Sequence, residues 1–412
     1  HYVSEDMVSW YEDKRILIPE EWYESHGAFS GSAVIKDNQL YLMYTGNVRT
    51  KDNRRKSYQC LARLEEKKIV KDPDNPVINN TPDGFTNEFR DPKIFQKDGS
   101  FYLVIGGQKE NMTGSIAVYQ SKDLHNWNFN GELKTGLENF GYMWECPDYF
   151  ELNDAGILLF CPQGLKPDKD CFNNIYQSGY IVGDKLNLDT LEFRHSDFTE
   201  LDRGFDFYAP QTTLLPDGRR VMIAWMKSWD ACVVPDSQDW QGMMTLPREL
   251  EIKDGRIWQK PVKEIENYRA NKCHYTDKKI DCYTTFDGIK GRTLDMTVEL
   301  SGEEYNNFTV EMACDDEYST AFTYNRVAGV LEIDRTCCGV TKDVVCVRKI
   351  KIADTDRKLK LRFIMDRQSI ELFINDGQQV ATTAICTPLQ ADGISFNCDG
   401  SAVVDIEKYD II

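Results

Sequence analysis

The sequence predicts an all-β protein in which a β-propeller is followed by a β-sandwich. Hairpin patterns, in which two runs of β-branched or aromatic residues flank a polar turn with Asn or Gly, fill most of the chain, and long amphipathic helical patterns are absent. Polar motifs recur directly before the first strand of four hairpins. Short strands with another layout fill the last third of the chain. Together these observations favour a fold made of two β domains.

Four recurring motifs define the repeat. They are FSGSAV (29–34), FRDPKIF (89–95), WECPDYF (144–150) and FYAPQTTL (207–214). One residue of each serves as its marker: Ser30, Asp91, Glu145 and Tyr208. The intervals are 91 − 30 = 61, 145 − 91 = 54 and 208 − 145 = 63 residues. Four-stranded units at this interval favour propeller blades, whose first strands line one channel. The motifs are therefore predicted to converge on one site, although unrelated polar strand starts are the plainer alternative.

The first residues of the chain resemble a later segment. Tyr2–Trp10 (YVSEDMVSW) shares Tyr, Ser, Asp and Trp with Tyr119–Trp127 (YQSKDLHNW) at identical spacing. We interpret both as the third strand of a blade and the turn after it, with Ser and Asp shaping the turn and Trp packing between blades. One mean interval of 59 residues ahead of Ser30 falls roughly 30 residues before His1. The first blade is therefore expected to lack its first two strands in this chain.

A change of pattern near residue 268 separates the two predicted domains. Residues 268–282 (YRANKCHYTDKKIDC) are lysine-rich and predict a linker. Period-two alternation follows, clearest in KLKLRFIMD and SIELFIND, and predicts a β-sandwich. The predicted domains are thus a propeller at 1–267, a linker at 268–282 and a sandwich at 283–412.

Composition narrows the partners. The formal net charge of −18 over 412 residues argues against nucleic acids and anionic membranes. The 13 Cys include no C-x-x-C, and the five His show no ligand spacing, so we expect reduced thiols, no metal site and no cofactor. A cytoplasmic protein that acts on a small molecule is the resulting expectation.

Two carboxylates stand out by context. Glu145 lies between Trp144 and Cys146, and poor solvation there would raise its pKa, as a general acid requires. The alternative is a carboxylate bound to backbone donors at a strand end. Asp91 follows Arg90, and the two could grip vicinal sugar hydroxyls, whereas a plain surface ion pair is the alternative.

Aromatic residues near the motifs could stack on a sugar ring, although each alone is more often part of a core. They are Trp10, Trp22, Phe29, Trp144, Tyr208, Trp225 and Trp229. An acidic funnel with aromatic walls suits a glycosidase, which needs two carboxylates beside the scissile bond. The pattern by itself favours that class and identifies one of the two carboxylates.

A family resemblance sharpens this hypothesis. The residues that carry it are HGAFSGSA (26–33), YTGN (44–47), FRDP (89–92), WECPD (144–148), FYAPQ (207–211), AWM (224–226), LPREL (246–250) and DRQSIELFINDG (366–377). Over essentially the whole chain they resemble glycoside hydrolase family 32, the β-fructofuranosidases. The resemblance implies a five-bladed β-propeller, with its first blade incomplete here, followed by a β-sandwich. It also implies retaining hydrolysis through a covalent fructosyl–enzyme intermediate.

The resemblance implies a role for each matched residue. Glu145 matches the acid/base that protonates the glycosidic oxygen, and Asp91 matches the residue that binds fructosyl hydroxyls and stabilises the transition state. Cys146 matches a position that tunes the acid/base. The other matched positions contact substrate or form the pocket wall: Phe29, Ser30, Arg90, Tyr208 and Trp225.

One family motif has no counterpart in this sequence. The nucleophilic Asp of the family lies in a W-M-N-D-P-N-G-like motif, and the nearest dipeptides here, Asn153–Asp154 and Asp72–Pro73, fall at predicted turns. A truncated sequence, a missing piece supplied separately and a naturally non-hydrolysing relative all explain this, and we favour truncation. The residues present are then expected to be nearly inactive by themselves, because the covalent route needs the nucleophile.

The choice of substrate depends on weaker signals. TGNVR (45–49) and CPQGLKP (161–167) resemble the bacterial intracellular sucrose-6-phosphate hydrolases of this family. A basic stretch could bind the phosphate through Arg49, Arg54 and Arg55, although a solvated loop explains it equally well. A secreted-type invertase or fructan hydrolase and a fructoside-binding pseudoenzyme remain alternatives.

Overall fold

The protein consists of two compact units of β-structure. The computed structural model describes residues 1–227, 240, 242–339, 344–352 and 358–412. The first unit comprises His1–Lys166, Tyr176–Thr199 and Ala209–Thr212, and the second comprises Pro167–Ile175, Glu200–Tyr208 and Thr213–Ile412. Two short 3-10 helices, Trp22–Glu24 and Lys263–Tyr268, are the helical segments of the described residues.

The first half of the chain forms successive sheets, each built from consecutive strands. A two-stranded sheet pairs β1 (Tyr2–Val3) with β2 (Tyr11–Glu12). The next contains β3 (Ala28–Lys36), β4 (Gln39–Arg49), β5 (Arg55–Leu64) and β6 (Ile69–Lys71). It is followed by β7 (Phe85–Lys97), β8 (Ser100–Lys109), β9 (Gly114–Ser121) and β10 (Asn128–Glu132). The fourth contains β11 (Met143–Leu152), β12 (Ala155–Gln163), β13 (Gly179–Gly183) and β14 (Thr199–Glu200). In each of these sheets, strands that are neighbours in space are also consecutive in sequence. This is the topology of propeller blades.

A further sheet of the same kind precedes the sandwich. It contains β15 (Tyr208–Leu214), β16 (Arg220–Met226), β17 (Met243–Met244), β18 (Arg248–Lys253) and β19 (Arg256–Pro261), in the order β15-β16-β18-β19 with β17 beside β16.

The sandwich pairs a six-stranded sheet with a five-stranded sheet. The first has the order β20-β30-β21-β26-β27-β28 and the second β25-β24-β23-β22-β29. Their bounds are β20 (Arg269–Ile280), β21 (Thr293–Glu304), β22 (Asn307–Cys314), β23 (Thr320–Asn325), β24 (Val330–Asp334), β25 (Val347–Lys351), β26 (Leu359–Asp366), β27 (Ser369–Ile374), β28 (Gln379–Ala384), β29 (Gly393–Cys398) and β30 (Ser401–Ile411). Residues from both sheets, such as Phe322 and Phe363, form one apolar core.

The predicted hairpin between β3 and β4 shows why the turns form where they do. Asp37 and Asn38 occupy the two central positions with φ of 50° and 60°. A two-residue hairpin turn with both residues in the left-handed region matches the twist of the flanking strands, and Asp and Asn tolerate that conformation.

The similarity between Tyr2–Trp10 and Tyr119–Trp127 corresponds to one repeated turn. The hydroxyl of Ser4 accepts a bond from the Met7 N–H at 2.7 Å, and that of Ser121 accepts one from Leu124 at 2.9 Å. Met7 and Leu124 both have a positive φ, 65° and 76°. The indole N–H of Trp10 donates to Met7 O, and that of Trp127 donates to Leu124 O. The turn prediction is confirmed, but Trp10 is 45% exposed.

The linker predicted at 268–282 is wrong. Residues Arg269–Ile280 form β20, which pairs with β30 at the edge of the six-stranded sheet. Lysines on an edge strand discourage pairing with other chains. The lysine-rich sequence that indicated a linker is therefore typical of an edge strand.

A buried ion network lies inside the second unit and uses two of the family-like motifs. Arg248, from LPREL, is fully buried and donates to Glu371 at 2.6 Å and to Asp202 at 3.0 Å. Glu371 comes from the motif DRQSIELFINDG. Gln259 and Thr382 also accept bonds from Arg248. Every partner is a hydrogen-bond acceptor, which is the condition for a buried charge to be tolerated.

Candidate active site

Three motifs lie at bulges in the first strands of successive sheets. The pairing register shifts between Phe29 and Gly31 in β3, between Arg90 and Lys93 in β7, and between Glu145 and Asp148 in β11. The residue before proline has a positive φ in three motifs: 65° at Asp91, 51° at Cys146 and 52° at Ala209. Bulges redirect side chains, and left-handed non-glycine residues are strained positions that gather at functional sites. The R-D-P, E-C-P and Y-A-P tripeptides are thus one backbone feature repeated.

Glu145 is buried and held at both carboxylate oxygens. Its Oε1 accepts bonds from Arg90, at 2.8 Å from Nε and 2.6 Å from the terminal nitrogen Nη2. Its Oε2 accepts a bond from Gln163 Nε2 at 2.5 Å. Glu145 is 8% exposed. This fixes the carboxyl group within the site, as positioning for proton transfer requires.

Asp91 lies against the backbone of the residue that follows Glu145. Its Oδ2 accepts a bond from the Cys146 N–H at 3.0 Å and a weaker one from the Cys146 thiol at 3.6 Å. Burial and the negative charge of Glu145 raise the pKa of Asp91 to about 6, against the opposing effects of Arg90 and the Cys146 N–H. The same charges of Glu145 and Asp91 outweigh burial at Arg90 and raise its pKa. The two carboxylates and the guanidinium therefore form one electrostatic unit.

Cys146 is a buried thiol within this unit. A hydrogen bond with the Cys161 thiol, followed by burial and the charge of Asp91, raises the pKa of Cys146 well above its usual value. A thiol that stays protonated at neutral pH is a poor nucleophile. Cys146 is therefore poorly suited to act as the nucleophile of a covalent step.

Glu88 connects Arg90 to Arg55. Its Oε2 accepts a bond from Arg90 Nη1 at 2.6 Å and lies 3.0 Å from Arg55 Nη1. The guanidinium of Arg55 lies 5.5 Å from the centroid of the Phe29 ring. Phe29, Arg55, Glu88, Arg90 and Glu145 are therefore in consecutive contact. Of the three arginines predicted to bind phosphate, Arg55 is the one in this chain of contacts.

The other two predicted phosphate contacts have local partners. Arg54 lies 2.5 Å from Asp52, and both side chains are largely exposed. Arg49 donates to the carbonyl oxygen of Asn53 at 3.2 Å. Both contacts stabilise the turn between β4 and β5.

A second network ties the motif strands together beside the site. Lys93 Nζ donates to Asp148 Oδ2 at 2.9 Å, to Gln211 Oε1 at 3.2 Å and to Thr212 O at 2.7 Å. The fully buried Asp148 also accepts the Thr212 N–H at 2.7 Å. The sequence analysis gave these residues no role, and it gave none to Gln163 or Glu88, although Lys93 follows FRDP directly and Asp148 is the last residue of WECPD.

The remaining predicted residues differ in their exposure. Ser30 is exposed at the bulge of β3, next to the partly buried Phe29. Tyr208 is buried and Trp225 partly buried, both within the second unit, and their role as pocket walls stays a prediction. Trp229 lies outside the described residues.

One group among the described residues brings potential metal ligands together. Ligand atoms of Asp72, Asp74 and His125 lie within 4.8 Å of one another. His125 Nδ1 is 3.6 Å from Asp72 Oδ2, which is the distance of an ion pair when the imidazole is protonated. This group follows β6 and β9 rather than the motif strands. Within the described part of the chain, no helix is long and apolar enough to cross a membrane.

Comparison with known proteins identifies the class. The family model described as "Glycosyl hydrolases family 32 N-terminal domain" matches residues 1–261, and the one described as "Glycosyl hydrolases family 32 C terminal" matches residues 264–411. The chain therefore belongs to glycoside hydrolase family 32. The predicted fold, a β-propeller followed by a β-sandwich, is confirmed.

Individual relatives refine the comparison. The sucrose-6-phosphate hydrolase of Staphylococcus xylosus is 37% identical over 412 residues, which are 100% of this chain and 83% of the relative. The sucrose-6-phosphate hydrolase of Bacillus subtilis is 36% identical over 92% of this chain and 78% of the relative. The structure of sucrose-6-phosphate hydrolase from Lactobacillus gasseri matches with a TM-score of 0.91 and 33% identity, over 100% of this chain and 84% of that one. A mutant Bombyx mori β-fructofuranosidase in complex with sucrose matches with a TM-score of 0.86 and 31% identity, at 100% and 84% coverage.

Proposed function

We propose that the protein hydrolyses the β-fructofuranosidic bond of sucrose 6-phosphate or sucrose with retention of configuration. The observation that carries the proposal is the buried unit in which Arg90 and Cys146 join Glu145 to Asp91. Two relatives named as sucrose-6-phosphate hydrolases support the substrate class, as does a related structure that contains sucrose. The partner is then a small sugar, and a cytoplasmic location goes with that substrate.

The roles follow from the contacts. Glu145 would protonate the leaving oxygen and later take a proton from water, as the acid/base of a retaining glycosidase does. Asp91 would accept hydrogen bonds from fructosyl hydroxyls, which it does best when ionised, above its pKa of about 6. Arg90 would keep the paired negative charges tolerable, since it donates to Glu145 and is also close enough to influence Asp91.

The covalent route also needs a carboxylate nucleophile. The printed sequence contains no W-M-N-D-P-N-G-like motif to supply it. We therefore expect the 412 residues by themselves to bind fructosides with very slow turnover, and a longer form that includes such a motif to turn them over much faster. Equal kcat values for the two forms would contradict this expectation, and a form with the motif that binds without turnover would favour the pseudoenzyme.

Arg55 is the candidate that would distinguish the phosphorylated substrate. Its guanidinium is on the Phe29 side of the site, and a charge-assisted bond to phosphate is worth roughly 1.5–3 kcal/mol. Arg55→Gln should therefore lower kcat/KM for sucrose 6-phosphate about ten-fold relative to sucrose. The measurement is the ratio of the two kcat/KM values in a form of the protein that carries the nucleophile.

Arg63→Gln is the matched control for this experiment. Arg63 lies on the same strand and pairs with the half-exposed Glu65 at 3.1 Å. Equal efficiencies of the parent protein on both sugars would remove the phosphate hypothesis and favour the invertase or fructan hydrolase alternative. If Arg54→Gln lowers the preference for sucrose 6-phosphate over sucrose and Arg55→Gln does not, the phosphate is bound by the turn between β4 and β5.

A further inference from the structure

Glu88 lies between two arginines of the candidate site and belongs to none of the family-like motifs. Its Oε2 is 2.6 Å from Arg90 Nη1 and 3.0 Å from Arg55 Nη1, so one oxygen serves both guanidinium groups. The backbone N–H of Glu88 donates to the hydroxyl of Thr86 at 3.2 Å. Glu88 and Arg90 are two positions apart on β7, and their side chains are in direct contact. The carboxylate is therefore well placed to act on Arg90.

Arg90 has its planar group fixed by two carboxylates. Nε and Nη2 bind Glu145, and Nη1 binds Glu88. A guanidinium fork held on both sides has one orientation, whereas a fork held on one side can rotate about its last bonds. The Arg90 side chain is 10% exposed and that of Glu88 is 36% exposed, so the bond between them lies at the solvent edge of the buried unit. The orientation of Glu145 therefore depends on Glu88 through Arg90.

Glu88 also separates two positive charges. Arg55 is half-buried, and its pKa is lowered by burial while Glu88 opposes that effect and Arg90 adds to it. Removal of the Glu88 charge would leave Arg55 and Arg90 facing each other without a carboxylate between them. One of them would have to move, and Arg90 carries the bonds to Glu145.

We propose that Glu88 is a positioning residue for catalysis, which holds Arg90 on Glu145 and keeps Arg55 in place on Phe29. The inference rests on the proposed function. A Gln at this position keeps an oxygen that can accept from both guanidinium groups, but it removes the negative charge that lies between the two arginines. An Asp keeps the charge and is shorter by one methylene.

The test compares kcat, KM and the pH profile of sucrose hydrolysis by a form of the protein that carries the nucleophile and by its variants. Glu88→Gln should lower kcat about ten-fold with little change in KM, and Glu88→Asp should recover most of the loss. The loss of a negative charge favours ionisation of the neighbouring carboxylates. Both limbs of the kcat/KM profile of Glu88→Gln should therefore move to lower pH by about half a unit. A residue that only stabilised the fold would change thermal stability and leave the pH profile in place.

Glu65→Gln is the matched control, because Glu65 makes one ion pair with Arg63 at the far end of β5 and contacts none of these residues in the structure described. An active parent in which Glu88→Gln and Glu65→Gln have the same kcat and the same pH profile overturns the inference alone. A parent without any turnover of sucrose or sucrose 6-phosphate overturns the proposed function and the inference with it.

Discussion

In a form of the protein that carries the nucleophile, replacement of Glu145 by Gln is expected to lower kcat/KM for sucrose by about 10³ to 10⁴-fold without disturbing the fold. The amide keeps the size of the side chain, and its oxygen still accepts both bonds from Arg90. Gln163 can rotate its own amide to accept the new NH2 group. What is lost is the proton that the leaving glucosyl oxygen needs.

The leaving group provides a direct check on that role. Nitrophenolate is a leaving group that departs without protonation. The loss of kcat/KM in Glu145→Gln should therefore be much smaller on a nitrophenyl fructoside than on sucrose. Glu151→Gln is the control on the same strand, where Glu151 pairs with Lys97 and Lys185. Equal losses on the two substrates would mean that Glu145 supports the site and does not donate the proton.

The fold was predictable because the repeat is visible in short segments of the amino-acid sequence. Asp37 and Asn38 select their hairpin turn without help from distant residues, and the Ser–Asp turn after Tyr2 recurs after Tyr119 for the same reason. The linker prediction failed because an edge strand such as Arg269–Ile280 buries few side chains and has the composition of a loop. The local sequence cannot distinguish an edge strand from a loop of the same composition.

The candidate site was predictable where a motif joins chemistry to backbone. Asp91 and Cys146 precede prolines at equivalent bulges, so the sequence placed Asp91 and Glu145 together. It could not tell which of Arg49, Arg54 and Arg55 lies next to the site, because the contact between Arg55 and Glu88 forms across two strands. Gln163 was missed for the same reason, since its contact with Glu145 exists only once β11 and β12 pair.

Replacement of Asp91 by Asn is expected to lower kcat/KM for sucrose about 10³-fold and to stabilise the folded protein at neutral pH. The folded state raises the pKa of Asp91 from 3.8 to about 6, so it favours the protonated carboxyl. Stability from this group is complete below about pH 4 and is lost as the pH rises through about 6. The ionised carboxyl of Asp91 therefore destabilises the folded state at pH 7.5. Asn removes that cost and can still accept the Cys146 N–H, but it cannot offer the charge that fructosyl hydroxyls and the transition state require.

Urea unfolding at pH 4 and pH 7.5 separates this charge effect from any change in packing. The gain of Asp91→Asn in free energy of unfolding should appear at pH 7.5 and vanish at pH 4, whereas a packing effect would be the same at both. Asp154→Asn is the control, because Asp154 is fully exposed and 4.0 Å from Lys185. A variant that is less stable than the parent at pH 7.5 would show that Arg90 and Cys146 compensate the buried charge fully. A gain in stability combined with a loss of turnover would instead show that the protein tolerates a destabilising carboxylate at Asp91 because the site uses its charge.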